Sequence, residues 1–171
     1  MCSGKTTVGK IVANSIGYAF YDLDEMISKG ESKSVPEIIT ADGEKFFRDL
    51  ESEYLKKTTG FANSVISLGG GTIVRPENLS LILEHGYLVY LETPVPTIYE
   101  RLKSKTNRPL FRTENDAPLS KDEAIGKIEA LLTPRLPLYS QAHFSVDTST
   151  MGIGKTVDEI IRHLKRNLII E

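Results

Sequence analysis

A glycine, a lysine and a threonine occur together in the stretch SGKTT, at the start of a helical pattern near the amino end of the chain. The first backbone N–H groups of a helix have no partner within the helix and can bind anionic oxygens. Lys5 could then reach the outer phosphates of a nucleoside triphosphate, and Thr6 could offer a hydroxyl to Mg2+. Such a short motif is more often a solvated helix cap, so it indicates phosphate binding only together with other residues.

Two aspartates, Asp22 and Asp24, follow an apolar stretch that predicts a strand over Ala19–Asp22. A spacing of two places both carboxylates on the same side of an extended chain. A carboxylate pair at the carboxyl end of a strand suits water-mediated Mg2+ binding and removal of a proton from a hydroxyl. The alternative interpretation is two solvated acids in a turn.

Three consecutive glycines, Gly69, Gly70 and Gly71, follow the apolar stretch SVISL. Three glycines in a row cost chain entropy, and close approach by a ligand or a tight backbone geometry is the usual compensation. Their N–H groups could bind the hydroxyls or the carboxylate of a small molecule. A flexible turn is the other possibility.

Three arginines lie beside prolines or aromatic residues: Arg48 after two phenylalanines, Arg108 in NRPLF and Arg135 in PRLPLY. A guanidinium group binds a carboxylate or a phosphate through two parallel hydrogen bonds. Each arginine alone would be interpreted as a surface charge. Together they indicate the capture of a small anion.

The elements that must position these residues alternate between helical and strand patterns, which predicts an α/β fold with a parallel sheet covered by helices. The strand patterns are marked by Ala19, Val65, Tyr87 and His143. The helical patterns cover residues 5–16, 24–28, a segment entered at Ser34 and Pro36, 42–57, 76–84, 96–103, 121–132 with a kinked continuation at Pro134 and Pro137, and 157–167. The polar segment 106–119 has no period and is expected to be a loop.

The helix at Lys5 has no strand ahead of it, although a phosphate loop needs a buried strand that directs its N–H groups. We therefore expect about ten apolar residues ending in a glycine ahead of Met1, and a hole in the sheet without them. A misassigned start site, a truncation or an incomplete chain would each produce this pattern. A protein that has no nucleotide affinity is the alternative.

The composition limits the classes of protein that remain. The 171 residues are 40 % hydrophobic and 26 % charged, which suits one globular domain, and the net charge of -2 gives no general attraction for nucleic acid or an anionic membrane. The chain has no apolar run long enough to cross a bilayer and no secretory signal pattern. We expect a cytoplasmic monomer that binds neither nucleic acid nor membranes. The single cysteine agrees with a reducing compartment.

Eight motifs resemble those of the shikimate kinase family, in the same order, from Met1 to about Ile161: SGKTTVGK, FYDLDEMI, SVPEII, GEKFFRDLESEYL, SLGGGTIVRPEN, VYLETP, NRPLF and PRLPLY. The resemblance implies a P-loop fold like that of the nucleoside monophosphate kinases, with three α/β/α layers and a central parallel sheet of order 2-3-1-4-5 whose first strand would be the missing one. It implies one kinase domain over 1–171, with a lid at 106–119 and a substrate-binding helical region at 24–60. The implied reaction is the ATP-dependent, Mg2+-dependent phosphorylation of the 3-hydroxyl of shikimate.

The resemblance also implies a role for each candidate residue. Lys5, Asp24 and Arg108 would be catalytic, with Asp24 as the base and Arg108 as the lid arginine. Thr6 would bind Mg2+ directly and Asp22 through water, while Arg101 would lie against adenine. The residues that would bind ATP are Ser3, Gly4, Lys5, Thr6, Thr7, Arg101 and Arg108. The residues that would bind shikimate are Asp24, Arg48, Gly69, Gly70, Gly71 and Arg135.

Two other functions stay open at the level of sequence. Another P-loop kinase for a small hydroxy acid, similar to gluconate kinase, would also need arginines for a carboxylate, although the DLD, GGG and RLPLY motifs favour shikimate. A catalytically silent nucleotide-fold module would account for the incomplete phosphate loop. The joint presence of Lys5, Asp22, Asp24 and the arginines argues against it.

Overall fold

The computed structural model describes residues 3–103, 119–167 and 169–170. The α-helices of these segments are α1 Lys5–Ile16, α2 Leu23–Glu31, α3 Val35–Asp42, α4 Glu44–Thr58, α5 Pro76–His85, α6 Val95–Lys103, α7 Lys121–Leu132, α8 Leu136–Tyr139 and α9 Ile153–Arg166. The strands are β1 Ala19–Asp22, β2 Ser64–Ser67, β3 Val89–Glu92 and β4 Phe144–Asp147. Short 3-10 turns occupy Thr72–Val74 and Thr133–Arg135. Arg108 and residues 106–118 of the expected lid lie outside the described residues.

The strands pair in parallel, as the alternation of strands and helices predicts. β1 lies beside β2 with Ala19 opposite Ser64, and β3 lies beside β4 with Val89 opposite Phe144. These pairs correspond to the 2-3 and 4-5 neighbours of the expected order, and both are confirmed. Within the described segments they form two separate two-stranded sheets and not one continuous sheet.

A partly open cavity of about 490 Å3 lies between the two strand pairs. Apolar residues of β2 and β3 line it, together with Val8 and Val12 of α1.

Helix α1 is bounded by two glycines and packs closely on the first strand pair. Gly4 and Gly17 flank the helix with φ values of +87° and +72°, a backbone conformation that side chains disfavour. A Cβ at Gly9 would lie 2.8 Å from the ring of Phe20 in β1. The absence of a side chain at position 9 therefore allows α1 to approach the sheet and holds its amino end near β1.

Two apolar clusters hold the elements around the candidate site. In the first, Val8 and Val12 of α1 pack with β4 and with Val157, Ile160 and Leu164 of α9. In the second, the helical region 24–60 packs on itself through residues of α2, α3 and α4, namely Leu23, Ile27, Ile38, Phe47, Leu50 and Leu55. Burial of each of these side chains contributes roughly 1.5 to 3 kcal/mol.

The limits of several elements differ from the sequence predictions for local reasons. Helix α4 begins at Glu44 and not at residue 42, because Gly43 with φ +90° separates it from α3. Strand β3 begins at Val89 and not at Tyr87, because the N–H of Leu88 donates to Nδ1 of His143. Helix α9 begins at Ile153, four residues before the predicted start, since Gly152 and Gly154 obscure the helical pattern there. After α7 the chain continues through the 3-10 turn and α8, so the predicted helical continuation at Pro134 and Pro137 is interrupted by one turn.

No helix in the described part of the chain combines the length and the apolar character needed to span a membrane.

Candidate active site

The predicted functional residues of the described segments gather at the carboxyl ends of the strands. Asp22 ends β1, the three glycines follow β2, and Arg101 is hydrogen-bonded to Thr148, which follows β4. Ligands of open α/β sheets bind at this edge, because the helices that follow the strands direct their amino ends toward it.

The amino end of α1 brings the two expected metal ligands together. The hydroxyl of Thr6 donates to Oδ2 of Asp22 at 2.8 Å. Lys5 is half-buried, whereas Thr6 and Thr7 are exposed, and Ser3 is buried. A hydroxyl and a carboxylate in contact provide the hard oxygen donors that Mg2+ prefers.

Asp22 and Asp24 are neighbours, but not for the predicted reason. The strand ends at Asp22 and α2 begins at Leu23, so the period-two argument was wrong. Asp22 caps α2 instead, and its Oδ1 accepts from the N–H groups of Asp24 at 3.1 Å and Glu25 at 3.4 Å. The cap places the Asp22 carboxylate between the phosphate loop and α2. The first turn of α2 directs the Asp24 carboxylate into the site.

Asp24 lies in an environment that raises its pKa. Burial is the largest cause, and the charges of Asp22 and Glu51 act in the same direction. Lys5 and Arg48 oppose the shift without cancelling it. A carboxyl whose pKa is moved toward neutral pH is better matched to proton transfer than an ordinary aspartate.

The three glycines make room for charged side chains and are not a loose turn. A Cβ at position 69 would lie 2.7 Å from Oε1 of Glu51 and 3.0 Å from Oδ1 of Asp24. A Cβ at position 71 would lie 2.7 Å from Cζ of Arg48. The glycine turn therefore contacts the candidate base and one of the candidate carboxylate-binding arginines.

Arg48 is held by two carboxylates of its own helix. It forms an ion pair with Glu44 at 2.8 Å and a short ion pair with Glu51. Burial by itself lowers the pKa of Arg48, but the hydrogen bonds and charges of Glu51 and Glu44 outweigh this effect and raise it. The guanidinium therefore stays charged where it lies against the glycine turn.

Glu51 is a site residue that sequence reasoning missed. Its side chain is 1 % exposed, and its Oε1 accepts from the hydroxyl of Thr72 at 2.7 Å, while Oε2 accepts from Arg48. It thus joins α4 to the turn after the glycines. The available signal was the i, i+3 spacing of Arg48 and Glu51, which places both on the same face of a helix.

Arg135 reaches the same turn from the other side. Its Nη1 donates to the carbonyl of Gly70 at 3.2 Å, and the hydroxyl of Tyr139 donates to the same oxygen at 2.8 Å. Arg48 and Arg135 therefore contact adjacent glycines, although they are far apart in the sequence. Tyr139 was not among the predicted residues; its signal was its place in the RLPLY motif.

Arg101 lies at the carboxyl end of β4. It donates to the carbonyl of Thr148 at 2.7 Å through Nη2 and to the hydroxyl of Thr148 at 3.2 Å through Nη1. These bonds fix the guanidinium beside the second strand pair, on the edge that also carries the phosphate loop. The predicted contact of Arg101 with adenine stays a prediction.

Comparison with known proteins assigns this arrangement to a family. The model of the family described as shikimate kinase matches residues 1–165. The chain belongs to the shikimate kinase family. A shikimate kinase of Chlorobium phaeobacteroides is 44 % identical over 164 residues, which cover 96 % of this chain and 86 % of that protein.

Solved structures of shikimate kinases have the same fold. The shikimate kinase of Acinetobacter baumannii in complex with shikimate superposes with a TM-score of 0.86 at 32 % identity, covering 98 % of this chain and 89 % of that one. The enzyme of Bacteroides thetaiotaomicron also gives 0.86, at 31 % identity, covering 96 % and 94 %. The resemblance on which the sequence interpretation relied is confirmed, and so is an α/β P-loop kinase fold.

Replacing Glu51 tests whether this residue stabilises the site of this shikimate kinase family member. Glu51→Ala is expected to lower the free energy of unfolding by roughly 1 to 3 kcal/mol, because it leaves the half-buried Arg48 with only its exposed partner Glu44 and the buried hydroxyl of Thr72 without an acceptor. Urea denaturation at pH 7 measures the change. Glu53→Ala on the same helix removes an exposed ion pair with Lys57 and should change stability by less than about 1 kcal/mol. Equal losses in the two variants would contradict the role assigned to Glu51.

Proposed function

We propose that this protein transfers the γ-phosphoryl group of ATP to the 3-hydroxyl of shikimate, which gives shikimate 3-phosphate and ADP. The observation that carries the proposal is the convergence of Asp24, Arg48 and Arg135 on the glycine turn beside the amino end of α1. The shikimate kinase family as a whole supports ATP as the phosphoryl donor.

The two arginines would bind the carboxylate of shikimate. Arg48 and Arg135 contact the glycine turn at adjacent residues, so a carboxylate bound there would meet positive charge from two directions. Bidentate hydrogen bonds from a planar guanidinium fix the orientation of a carboxylate as well as its position. The N–H groups of Gly69, Gly70 and Gly71 would add donors to the substrate.

Asp24 would accept the proton of the attacking hydroxyl. Its carboxylate lies beside Gly69 and near Lys5, between the proposed shikimate pocket and the phosphate loop. Because burial raises the pKa of Asp24, the carboxylate is a stronger base than an aspartate in water. The hydroxyl and the phosphoryl group would be held close together, and catalysis would consist of positioning and charge neutralisation.

The amino end of α1 would bind the nucleotide phosphates. The N–H groups that follow Ser3 and Gly4 and the ammonium of Lys5 suit anionic oxygens, and Thr7 lies in the same first turn. Arg101 would lie against adenine. Arg108 would act from the lid at 106–119, and this role stays a prediction because residue 108 lies outside the described segments.

The donor set of Thr6 and Asp22 fits Mg2+. A hydroxyl and a carboxylate 2.8 Å apart are hard oxygen ligands, and the described residues contain no group of three His, Cys, Asp or Glu side chains placed to hold a metal ion by themselves. Mg2+ would therefore take its remaining ligands from water and from phosphate oxygens, as it commonly does at nucleotide sites. When bound, the ion would supply charge neutralisation at the phosphates. We place the reaction in one domain, in a cytoplasmic monomer.

An assay that couples ADP formation to NADH oxidation tests the proposal, with ATP and Mg2+ present and shikimate, quinate or gluconate as the acceptor. Of these three acceptors we expect only shikimate to be phosphorylated, and phosphorus NMR should place the phosphate on the 3-hydroxyl. Calorimetric titration with shikimate is the second measurement, since it does not depend on ATP. Turnover of gluconate in place of shikimate, or no detectable shikimate binding, would overturn the assignment.

Gly71→Ala tests the glycine turn. The new methyl group would lie 2.7 Å from Cζ of Arg48 and must displace the guanidinium. We expect the KM for shikimate to rise by about 10- to 100-fold, equivalent to roughly 1.4 to 2.7 kcal/mol, because a charged hydrogen bond is lost. The KM for ATP should stay within about twofold. Gly126→Ala is the matched control, since a Cβ there meets nothing within 4 Å. An unchanged KM for shikimate in Gly71→Ala would remove Arg48 from the pocket.

A further inference from the structure

The three carbonyl groups of the glycine turn are bound by different parts of the chain. The N–H of Thr72 donates to the carbonyl of Gly69 at 3.2 Å. The N–H of Val74 donates to the carbonyl of Gly71 at 3.0 Å. These two bonds close the turn within its own segment. The carbonyl of Gly70, between them, accepts instead from side chains 65 and 69 residues further along the chain.

Tyr139 and Arg135 hold the carbonyl of Gly70 as a pair. The hydroxyl of Tyr139 donates at 2.8 Å and Nη1 of Arg135 donates at 3.2 Å. Arg135 ends the 3-10 turn and Tyr139 ends α8, and residues four apart on helical turns share a face. A carbonyl oxygen has two lone pairs, so one oxygen can accept both bonds. A single donor would leave the peptide free to rotate about that bond, whereas two donors fix its orientation.

The orientation of this peptide bears on the proposed shikimate pocket. The described residues contain no cis peptide bond, and in a trans peptide the C=O and the following N–H point in opposite directions. Fixing the carbonyl of Gly70 toward Tyr139 therefore directs the N–H of Gly71 to the opposite side. That N–H and the guanidinium of Arg135 are both proposed donors to shikimate. A rotation of this one peptide would displace both of them.

The ring of Tyr139 packs on the ring of Tyr90 in β3. The two rings stack with their centroids 4.7 Å apart and their planes 13° apart, and both residues are half-buried. Helix α8 has only four residues, too few to be rigid without packing. Tyr90, by contrast, belongs to a strand whose backbone is fixed by pairing with β4. The stack therefore sets the place of the Tyr139 hydroxyl, and it uses the ring of Tyr90 and not its hydroxyl.

We propose that Tyr139 is a positioning residue of the shikimate pocket, whose hydroxyl orients the Gly70 peptide and through it Arg135, and that the ring of Tyr90 holds Tyr139 in place. The role needs no contact between either tyrosine and the substrate. The inference rests on the proposed function, because it concerns how that pocket is held. If the stack only packed α8 on the sheet, the two rings would matter and the hydroxyl of Tyr139 would not.

Four single variants of the full chain separate the hydroxyl from the rings. Tyr139→Phe removes the donor alone, Tyr90→Phe retains the stacked ring, and Tyr90→Leu removes that ring. Tyr87→Phe is the matched control, because the Tyr87 hydroxyl forms a hydrogen bond with Nε2 of His163 at 2.7 Å and its ring stacks on His143. Tyr87 precedes β3, at the opposite end of the strand from the candidate active site.

Calorimetric titration with shikimate measures the effect of each variant. We expect Tyr139→Phe to raise the dissociation constant by about 3- to 10-fold, which corresponds to the loss of one neutral hydrogen bond. Tyr90→Leu should raise it by at least about threefold, whereas Tyr90→Phe and Tyr87→Phe should stay within about twofold of the wild type. In steady-state kinetics the KM for shikimate should rise with the dissociation constant in Tyr139→Phe, and the KM for ATP should stay within about twofold.

A double-variant cycle tests whether Tyr139 acts through Arg135. Arg135→Lys retains a positive charge but not the planar pair of donors whose orientation Gly70 fixes. Tyr139→Phe should therefore weaken shikimate binding by a smaller factor in the Arg135→Lys background than in the wild type. Factors that simply multiply would show that the two residues act independently, and would overturn the proposal.

Amide hydrogen exchange of the free protein separates a failure of this inference from a failure of the proposed function. We expect the N–H groups of Thr72 and Val74, which close the turn, to exchange at least about threefold faster in Tyr139→Phe and at the wild-type rate in Tyr90→Phe. Wild-type shikimate affinity in Tyr139→Phe, or equal losses in Tyr139→Phe and Tyr90→Phe, would overturn the proposal. If the wild type itself binds no shikimate, the proposed function fails, and unchanged exchange in Tyr139→Phe would then also exclude Tyr139 from holding the turn.

Discussion

Replacing Asp24 with asparagine is expected to lower kcat by about 100- to 10,000-fold while leaving the dissociation constant for ATP within about twofold of the wild-type value. The fall is the usual contribution of a positioned general base. Asparagine has nearly the shape of aspartate but cannot take up the hydroxyl proton. Steady-state kinetics with coupled ADP detection and calorimetry with ATP measure the two quantities.

Asp42→Asn is the matched control for this substitution. Asp42 is exposed and pairs with Lys33 at 3.0 Å, at the end of α3, so its neutralisation should leave kcat unchanged within about twofold. A fully active Asp24→Asn enzyme would show that another group accepts the proton.

Asp24→Asn is also expected to raise the free energy of unfolding at neutral pH. The raised pKa of Asp24 means that the folded protein holds this proton more tightly than the unfolded chain does. This tighter binding of the proton stabilises the folded protein fully below the ordinary pKa of aspartate. The stabilisation is lost as the pH rises through the raised folded-state pKa of Asp24. Urea denaturation should therefore give equal stabilities for wild type and Asp24→Asn at the acidic end, and a growing advantage for the variant toward pH 7. A constant difference at all pH values would contradict this account.

Replacing Arg135 with alanine is expected to weaken shikimate binding by roughly 2 to 5 kcal/mol, or about 30- to 5,000-fold. The change would leave the carboxylate of the substrate with an unpaired charge in a partly desolvated pocket. It would also remove the donor to the carbonyl of Gly70, although Tyr139 would still donate to that oxygen and hold the turn. Calorimetric titration with shikimate measures the loss.

Two further variants separate the geometry of Arg135 from its charge. Arg135→Lys retains one positive charge but not the planar pair of donors, so an intermediate loss is expected. Arg162→Ala removes an exposed charge from α9 and should leave shikimate affinity unchanged. Wild-type affinity in Arg135→Ala would exclude this residue from the carboxylate site.

The sequence predicted the parts of the site that depend on residue type and on order along the chain. The local features are SGKTT at a helix start, Asp22 at the end of β1, the glycines after β2 and the arginines of α4 and the PRLPLY segment, and each occupies the predicted element. The pairing of strands also followed from their alternation with helices, because parallel strands place their carboxyl ends at one edge.

The sequence misjudged features that depend on contacts between distant residues. The proximity of Asp22 and Asp24 arises from a helix cap and not from an extended strand. The glycine turn is shaped by Glu51 and Arg48, about twenty residues earlier in the chain. Glu51 was missed because its i, i+3 spacing from Arg48 indicates a shared helix face but does not show whether that face is buried or exposed.

By itself, then, the sequence determined which chemical groups the protein has, which elements carry them, and at which edge of the parallel strands they lie. Only the tertiary structure decided that Arg48 and Arg135 contact adjacent glycines, and that burial and neighbouring carboxylates raise the pKa of Asp24. The physical reason is the separation along the chain of the residues that interact. Helix and strand formation depend on residues a few positions apart, whereas burial, charge coupling and the pairing of strands depend on the packing of segments that are distant in the chain.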